Sequence, residues 1–78
     1  MRPTEALDAL AAHLQGHGLT RLYAASSGRI GVLSVAQGVT VWTDGKVLCW
    51  RAGDGDTRLP AADPQNAARM LAKLAREQ

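Results

Sequence analysis

The sequence predicts a single α+β domain spanning residues 1–78, ordered helix – four-stranded antiparallel β-meander – helix, with both helices packed on one sheet face. Amphipathic patterns of helical period lie at both ends of the chain, and alternating apolar segments separated by glycine turns lie between them. The dipeptide Asp44-Gly45, between two such segments, is a strong hairpin signal. A chain of this length buries only about 60 % of its unfolded surface. Many of its hydrophobic residues are alanines, so we expect a thin core that a second subunit would support.

The N-terminal pattern predicts a helix over 4–15. Its apolar positions follow the i, i+3, i+4, i+7 spacing of one helical stripe, formed by Leu7, Leu10, Ala11 and Leu14. We expect Thr4 to be the N-cap, since its hydroxyl can accept a backbone hydrogen bond. Gly16 and Gly18 should end the helix.

The C-terminal pattern predicts a second helix over 64–76. Asp63 followed by Pro64 is typical of an N-cap and the first helical residue. The predicted buried stripe consists of Ala67, Leu71, Leu74 and Ala75.

Four strands are predicted between the helices, at 20–26, 29–35, 39–43 and 46–51. A type I′ turn at Asp44-Gly45 would pair Thr43 with Lys46, Trp42 with Val47, Val41 with Leu48, and Val39 with Trp50. A turn at Ser27-Gly28 would pair Tyr23 with Val32 and Leu22 with Leu33. The connection at 36–38 is open: a three-residue loop with left-handed Gly38 pairs Val35 with Val39 and Val32 with Trp42, and a two-residue loop would mix the faces. We favour the three-residue loop because it separates apolar from polar residues.

This register assigns the two tryptophans to opposite faces of the sheet. One face is almost purely apolar and should form the core under the helices, with Leu22, Ala24, Leu33, Val35, Val39, Val41, Leu48 and Trp50. The other face should stay uncovered, with Arg21, Tyr23, Ile30, Val32, Ser34, Thr40, Trp42, Val47, Cys49 and Arg51.

An apolar row across the uncovered face suggests an interaction surface. The predicted row is Tyr23, Val32, Trp42 and Val47, with Arg21 and Arg51 beside it. We therefore expect a non-enzymatic interaction or regulatory module that forms a homodimer through this face. A docking surface for a different protein is the alternative.

Composition excludes several classes of protein. The net charge of +2 comes from nine basic and seven acidic residues spread along the chain, which is too mild to indicate nucleic-acid binding by itself. No segment has the roughly 20 apolar residues of a membrane span, and the N-terminus lacks the apolar run of a signal peptide. With Cys49 as the single cysteine, an internal disulfide is impossible, and we expect a cytoplasmic protein. Residue usage is typical of a high-GC bacterial genome.

Candidate catalytic and metal-binding groups do not form a set. His13 and His17 are four residues apart, but a structural zinc site needs two more ligands. The segment 53–57, GDGDT, has too few oxygen ligands for calcium and is expected to be a flexible acidic turn. Cys49 has no histidine predicted beside it, as a nucleophile would need. We expect no enzymatic activity, no cofactor and no metal.

Nucleic-acid binding is the second hypothesis. It rests on a basic stripe on the C-terminal helix, formed by Arg69, Lys73 and Arg76. The helix–strands–helix order resembles the double-stranded-RNA-binding fold in outline, but Asp63-Pro64-Gln65-Asn66 replaces that family's basic cluster, so no activity is carried over. Tyr23 and Trp42 offer surfaces on which bases could stack. Few positive charges are predicted around them apart from Arg21 and Arg51, and this mode is therefore not favoured.

Overall fold

The computed structural model describes residues 2–53 and 55–77. In these residues the chain forms an α+β fold whose elements are, in order, α1 (Pro3–Gly16), β1 (Tyr23–Ser27), β2 (Ile30–Ala36), β3 (Val39–Thr43), β4 (Val47–Ala52), β5 (Gly55–Pro60) and α2 (Pro64–Arg76). The strands form one antiparallel meander with spatial order β1-β2-β3-β4-β5. The two helices contact each other and pack on the sheet. No helix in the described residues is long and apolar enough to cross a membrane.

Helix α1 begins one residue earlier than predicted. Its N-cap is Arg2, without a side-chain cap, and Pro3 opens the first turn. The prediction that Thr4 is the N-cap is therefore wrong: Pro3 has the backbone φ that a first turn requires and no N–H to satisfy.

The predicted stop of α1 is confirmed at Gly18. This residue is left-handed, with φ 88°. Its N–H donates to the Gln15 carbonyl at 3.0 Å, and the Leu19 N–H donates to the Leu14 carbonyl at 3.1 Å. These two bonds form a Schellman motif.

Helix α2 has the predicted bounds and the predicted cap. Both carboxylate oxygens of Asp63 accept hydrogen bonds from Asn66, Oδ1 from the backbone N–H at 3.5 Å and Oδ2 from the side-chain amide at 2.7 Å. The buried residues of α2 are Ala67, Ala68, Leu71 and Ala72, whereas Leu74 and Ala75 are half-buried. The buried stripe thus lies closer to the N-terminus than predicted.

The prediction of four strands is corrected to five. The acidic segment 53–57, expected to be a flexible turn, contributes Gly53 to a turn and the following residues to β5; Asp54 lies outside the described residues. Strand β5 pairs with β4 along its full length. The first pair is Ala52 with Gly55, and the last is Val47 with Pro60. Leu59 is the one large apolar residue in β5, so its period-two pattern is weak in the sequence.

Two of the predicted hairpin registers are wrong by two residues. In β1–β2, Ala25 pairs with Val32, and the turn residues are Gly28 and Arg29. In β3–β4, Trp42 pairs with Cys49 instead of Val47. Because side chains alternate with a period of two, a shift of two residues leaves each side chain on its predicted face.

The β2–β3 connection keeps the favoured register around Val32, but the favoured three-residue loop is wrong: a bulge between Ser34 and Ala36 leaves Gln37 and Gly38 as a two-residue turn. Val32 pairs with Trp42 as predicted, and Gly38 is left-handed with φ 79°. The register then shifts, so that Val39 pairs with Ala36 and not with Val35. Both valines are nevertheless buried.

The core face of the sheet is nearly the one predicted. Its buried strand residues are Leu33, Val35, Val39, Val41, Thr43, Leu48 and Trp50. Leu22 is half-buried and precedes β1, and Ala24 is exposed although it pairs with the buried Leu33. The prediction that Ala24 is a core residue is therefore wrong: this residue is exposed on the edge strand β1.

The Asp44-Gly45 hairpin is wider than a type I′ turn. Thr43 pairs with Leu48, which leaves a four-residue loop, and no non-glycine residue that the structure describes has a positive φ, as type I′ would require of Asp44. Instead, Asp44 Oδ1 accepts hydrogen bonds from the N–H groups of Lys46 at 2.8 Å and Val47 at 3.1 Å. These bonds lower the pKa of Asp44 below its ordinary value of 3.8.

Gly31 allows α1 to approach the sheet. A Cβ on this buried glycine would lie 2.8 Å from Leu7 Cδ1 and 3.2 Å from Pro3 Cβ, both in α1. We expect Gly31→Ala to lower the free energy of unfolding by about 1–3 kcal/mol, because the buried Leu7 side chain, or α1 itself, must shift to make room for the added methyl group. Gly55→Ala is the matched control: it lies in β5, has nothing within 4 Å of its Cβ position, and should be neutral or slightly stabilising. Urea denaturation of both variants measures the difference, and equal effects would contradict this account of how α1 packs.

The lowered pKa of Asp44 predicts a pH effect on stability. A carboxylate whose pKa is lower in the folded state stabilises the fold above its unfolded pKa, and this contribution is lost as pH falls through the folded pKa. The stability of the wild-type protein should therefore decrease as pH falls from about 4. The stability of the Asp44→Asn variant should decrease less over the same range. Thermal unfolding at a series of pH values measures this, and parallel curves for the two proteins would contradict it.

Candidate interaction face

The face of the sheet opposite the core is here called the open face, because its side chains are exposed or half-buried throughout. It consists of Tyr23, Ala25, Ser27, Ile30, Val32, Ser34, Thr40, Trp42, Val47, Cys49, Arg51, Asp56, Arg58 and Pro60. Trp42 is 46 % exposed on this face, whereas Trp50 is 2 % exposed in the core. The predicted separation of the two tryptophans is confirmed.

The row that crosses the open face at Trp42 differs from the predicted one. Adjacent strands align Ala25, Val32, Trp42, Cys49 and Arg58. Tyr23 and Val47 lie on the same face but not in this row, because Tyr23 pairs with Ser34 and Val47 with Pro60. The two-residue register shifts in β1–β2 and β3–β4 account for both displacements.

The open face changes in character on the two sides of the Trp42 row. On the side toward the Asp44-Gly45 turn lies an apolar end, defined by Ile30, Val47 and Pro60. On the other side lies a polar end, defined by Tyr23, Ser34, Thr40, Arg51 and Asp56. Trp42, in the middle, borders both.

The polar end contains a concave pocket of about 490 Å³. Its lining residues are Gly38, Thr40, Trp42, Cys49, Trp50, Arg51, Asp56 and Arg58. Arg51 Nε lies 3.8 Å from Asp56 Oδ1, and these side chains are 81 % and 65 % exposed. Such an exposed ion pair is weak, so the Arg51 guanidinium remains free to bind another anion.

Asp56 and Arg58 were not predicted as members of this face because their strand was not predicted. In β5 the residues Thr57 and Leu59 are half-buried, and Asp56 and Arg58 alternate with them on the open face. This alternation is the signal that could have revealed the strand. It is short and follows a glycine-rich acidic segment, both of which favour a loop interpretation.

Arg21 and Cys49 border the interaction surface in different ways. Arg21 is exposed in the segment that leads into β1, two residues before Tyr23. Cys49 is a half-buried free thiol in the Trp42 row, and its Sγ lies 3.6 Å from the Trp42 carbonyl oxygen, to which it can donate. Both predicted histidine candidates, His13 and His17, are exposed at the end of α1.

The basic stripe of α2 is separate from the open face, because α2 packs on the core face. Arg69 donates from Nη2 to Asn66 Oδ1 at 2.6 Å, and Arg76 donates from Nε to the Ala72 carbonyl at 3.3 Å. Lys73 is exposed beside Met70 and lines a shallow cavity of about 310 Å³ between α2 and β4. Two of the three cations thus have contacts within their own helix.

Comparisons of the chain with protein-family models, with curated proteins and with solved structures find no match.

The different burial of the two tryptophans predicts different costs of truncation. Trp50→Ala should destabilise the domain by about 3–5 kcal/mol, because it leaves a cavity in the core. Trp42→Ala should cost about 1 kcal/mol or less when measured on dilute protein. Urea denaturation of both variants tests this, with Trp50→Leu as the milder substitution should Trp50→Ala fail to fold. Equal costs for the two alanine variants would contradict the assignment of faces.

Proposed function

We propose that this protein is a non-enzymatic interaction module that forms a homodimer through the open face around Trp42. The observation that carries the proposal is a half-exposed tryptophan in a continuous apolar surface with Ile30, Val32 and Val47. Contiguous apolar surface of this kind marks interaction sites in folded proteins. An aromatic residue at its centre is typical of the residues that dominate binding energy.

A second copy of the chain is the partner that the layers of the fold favour. Apolar residues on a sheet face are stabilised when a second layer covers them, and here α1 and α2 cover only the opposite face. Stacking two open faces about a two-fold axis would supply the second layer for both copies at once.

The size of the open face predicts a weak dimer. Five described strands about 4.8 Å apart and about six residues long cover roughly 400 Å² in outline. A standard interface buries about 800 Å² per partner, so this one falls below the standard range, among weak and transient contacts. We therefore expect association that depends on concentration in the micromolar range.

Nucleic-acid binding through α2 has less support. Arg69 and Arg76 are engaged within their helix, and the stripe has no aromatic side chain beside it on which a base could stack.

Sedimentation equilibrium over a range of concentrations tests the homodimer. The wild-type protein should be a dimer at high concentration, and Trp42→Asp should be a folded monomer because a carboxylate cannot be buried unpaired in the interface. Circular dichroism of the variant confirms that it is folded.

Met70→Asp is the matched control. Met70 is 43 % exposed, close to the 46 % of Trp42, but lies on α2 away from the open face. This variant should dimerise as the wild type does. A wild-type protein that is monomeric at every concentration would overturn the homodimer, and a dimer lost equally in Met70→Asp would place the interface elsewhere.

A further inference from the structure

We infer that the pocket at the polar end of the open face binds a nucleotide, with the base against Trp42 and the phosphate held by Arg51 and Arg58. The shared ligand chemistry is a planar heteroaromatic ring joined to an anionic phosphate. A free mononucleotide and a unit of a single strand both have it. This inference goes beyond the homodimer proposed above and does not depend on it.

The wall of the pocket provides the stacking surface. Trp42 is half-exposed, and its side chain borders the cavity. Bases stack on such aromatic surfaces with little dependence on sequence, because each base has a π-face. Trp42 lies on an antiparallel sheet, the type of platform on which single-stranded nucleic acids are read in other folds.

The charges of the pocket favour a phosphate. Arg58 lies in the Trp42 row, separated from Trp42 by Cys49, and Arg51 is on the neighbouring strand. Guanidinium groups bind phosphate with paired hydrogen bonds. Asp56 offsets one of the two positive charges through a weak, exposed contact with Arg51, so the lining retains a net positive charge. Strand β5 supplies Arg58, a cation that the sequence did not predict beside the stacking surface of Tyr23 and Trp42.

The size and the polar groups of the pocket fit a ligand of this class. Its volume of about 490 Å³ lies within the range of about 300–1,000 Å³ that is usual for small-molecule sites. The Thr40 hydroxyl and the Asp56 carboxylate lie in the lining and provide hydrogen-bonding groups for a sugar or a base edge.

The pocket and the apolar end of the open face lie on different sides of Trp42. The apolar end is toward Ile30 and Val47, whereas the pocket is toward Thr40 and Arg51. Because the proposed homodimer would cover Trp42, nucleotide binding is measured on dilute, monomeric protein, where it is separate from dimerisation.

Heteronuclear NMR of the tryptophan indole N–H groups tests the inference. The chain has two tryptophans and therefore two such signals. The signal that is absent in Trp42→Tyr belongs to Trp42, and the other belongs to Trp50. Titration with adenosine monophosphate at low ionic strength should shift the Trp42 signal and leave that of the buried Trp50 nearly unchanged. Arg58→Gln should weaken binding by about tenfold or more, since it removes charge-assisted hydrogen bonds. Arg69→Gln, on the other side of the molecule, should bind as the wild type does.

The choice of probe distinguishes the two sources of ligand. Tighter binding of a short oligoadenylate than of adenosine monophosphate would identify a single strand as the ligand, and the reverse order would identify a free nucleotide. Failure of both probes to shift the Trp42 signal would overturn the inference. The inference would also be overturned if inorganic phosphate bound as tightly as the nucleotide, or if Arg69→Gln weakened nucleotide binding as much as Arg58→Gln. Either result would indicate a general attraction of anions.

Sedimentation of the same samples separates this inference from the homodimer. A monomeric wild type that binds adenosine monophosphate would refute the dimer and support the pocket. A wild type that dimerises at high concentration, and whose Trp42 signal does not respond to any nucleotide in dilute, monomeric solution, would do the opposite.

Discussion

The structure depends on the packing of two helices against a single face of the sheet. Trp50 belongs to the buried cluster formed there, and the strand residues buried with it lie on the face toward α1 and α2. Many of the helix residues that meet there are alanines, which let the helices come close but remove little apolar surface from water. A core with this composition is thin, and the opposite face keeps apolar side chains exposed. The open face is therefore a consequence of how the core is built.

Alternation along the strands makes the assignment of faces robust to errors in register. Two hairpins pair two residues away from the predicted register, yet Trp42 remains on the open face and Trp50 in the core. Neighbours across the strands are less robust, since a shift of two residues replaces each of them. Cys49 therefore stands beside Trp42 where Val47 was predicted. A shift of two residues therefore leaves each side chain on the same face of the sheet but changes which side chains lie next to one another in the site.

Strand β5 has the largest effect on the interpretation of the site. It extends the open face past β4 and adds Asp56 and Arg58 beside Arg51 of β4. The resulting face has an apolar end suited to another protein surface and a concave, cationic end suited to an anion. Trp42 borders both ends, so contact at either end would change the environment of its side chain.

The sequence by itself determined the helices, three of the four hairpin positions, the capping of α2 by Asp63 and the separation of the two tryptophans. Each of these follows from local chemistry: a cap, a left-handed glycine, or a period of 3.6 or 2 residues. Strand β5, the register of two hairpins and the pocket were decided by tertiary structure. Residues 55–60 carry too little apolar pattern to indicate a strand alone, and they become one because β4 presents an unpaired edge for them to bond. The wide turn at Asp44 has a local cause instead, because its carboxylate accepts hydrogen bonds from the backbone N–H groups of Lys46 and Val47.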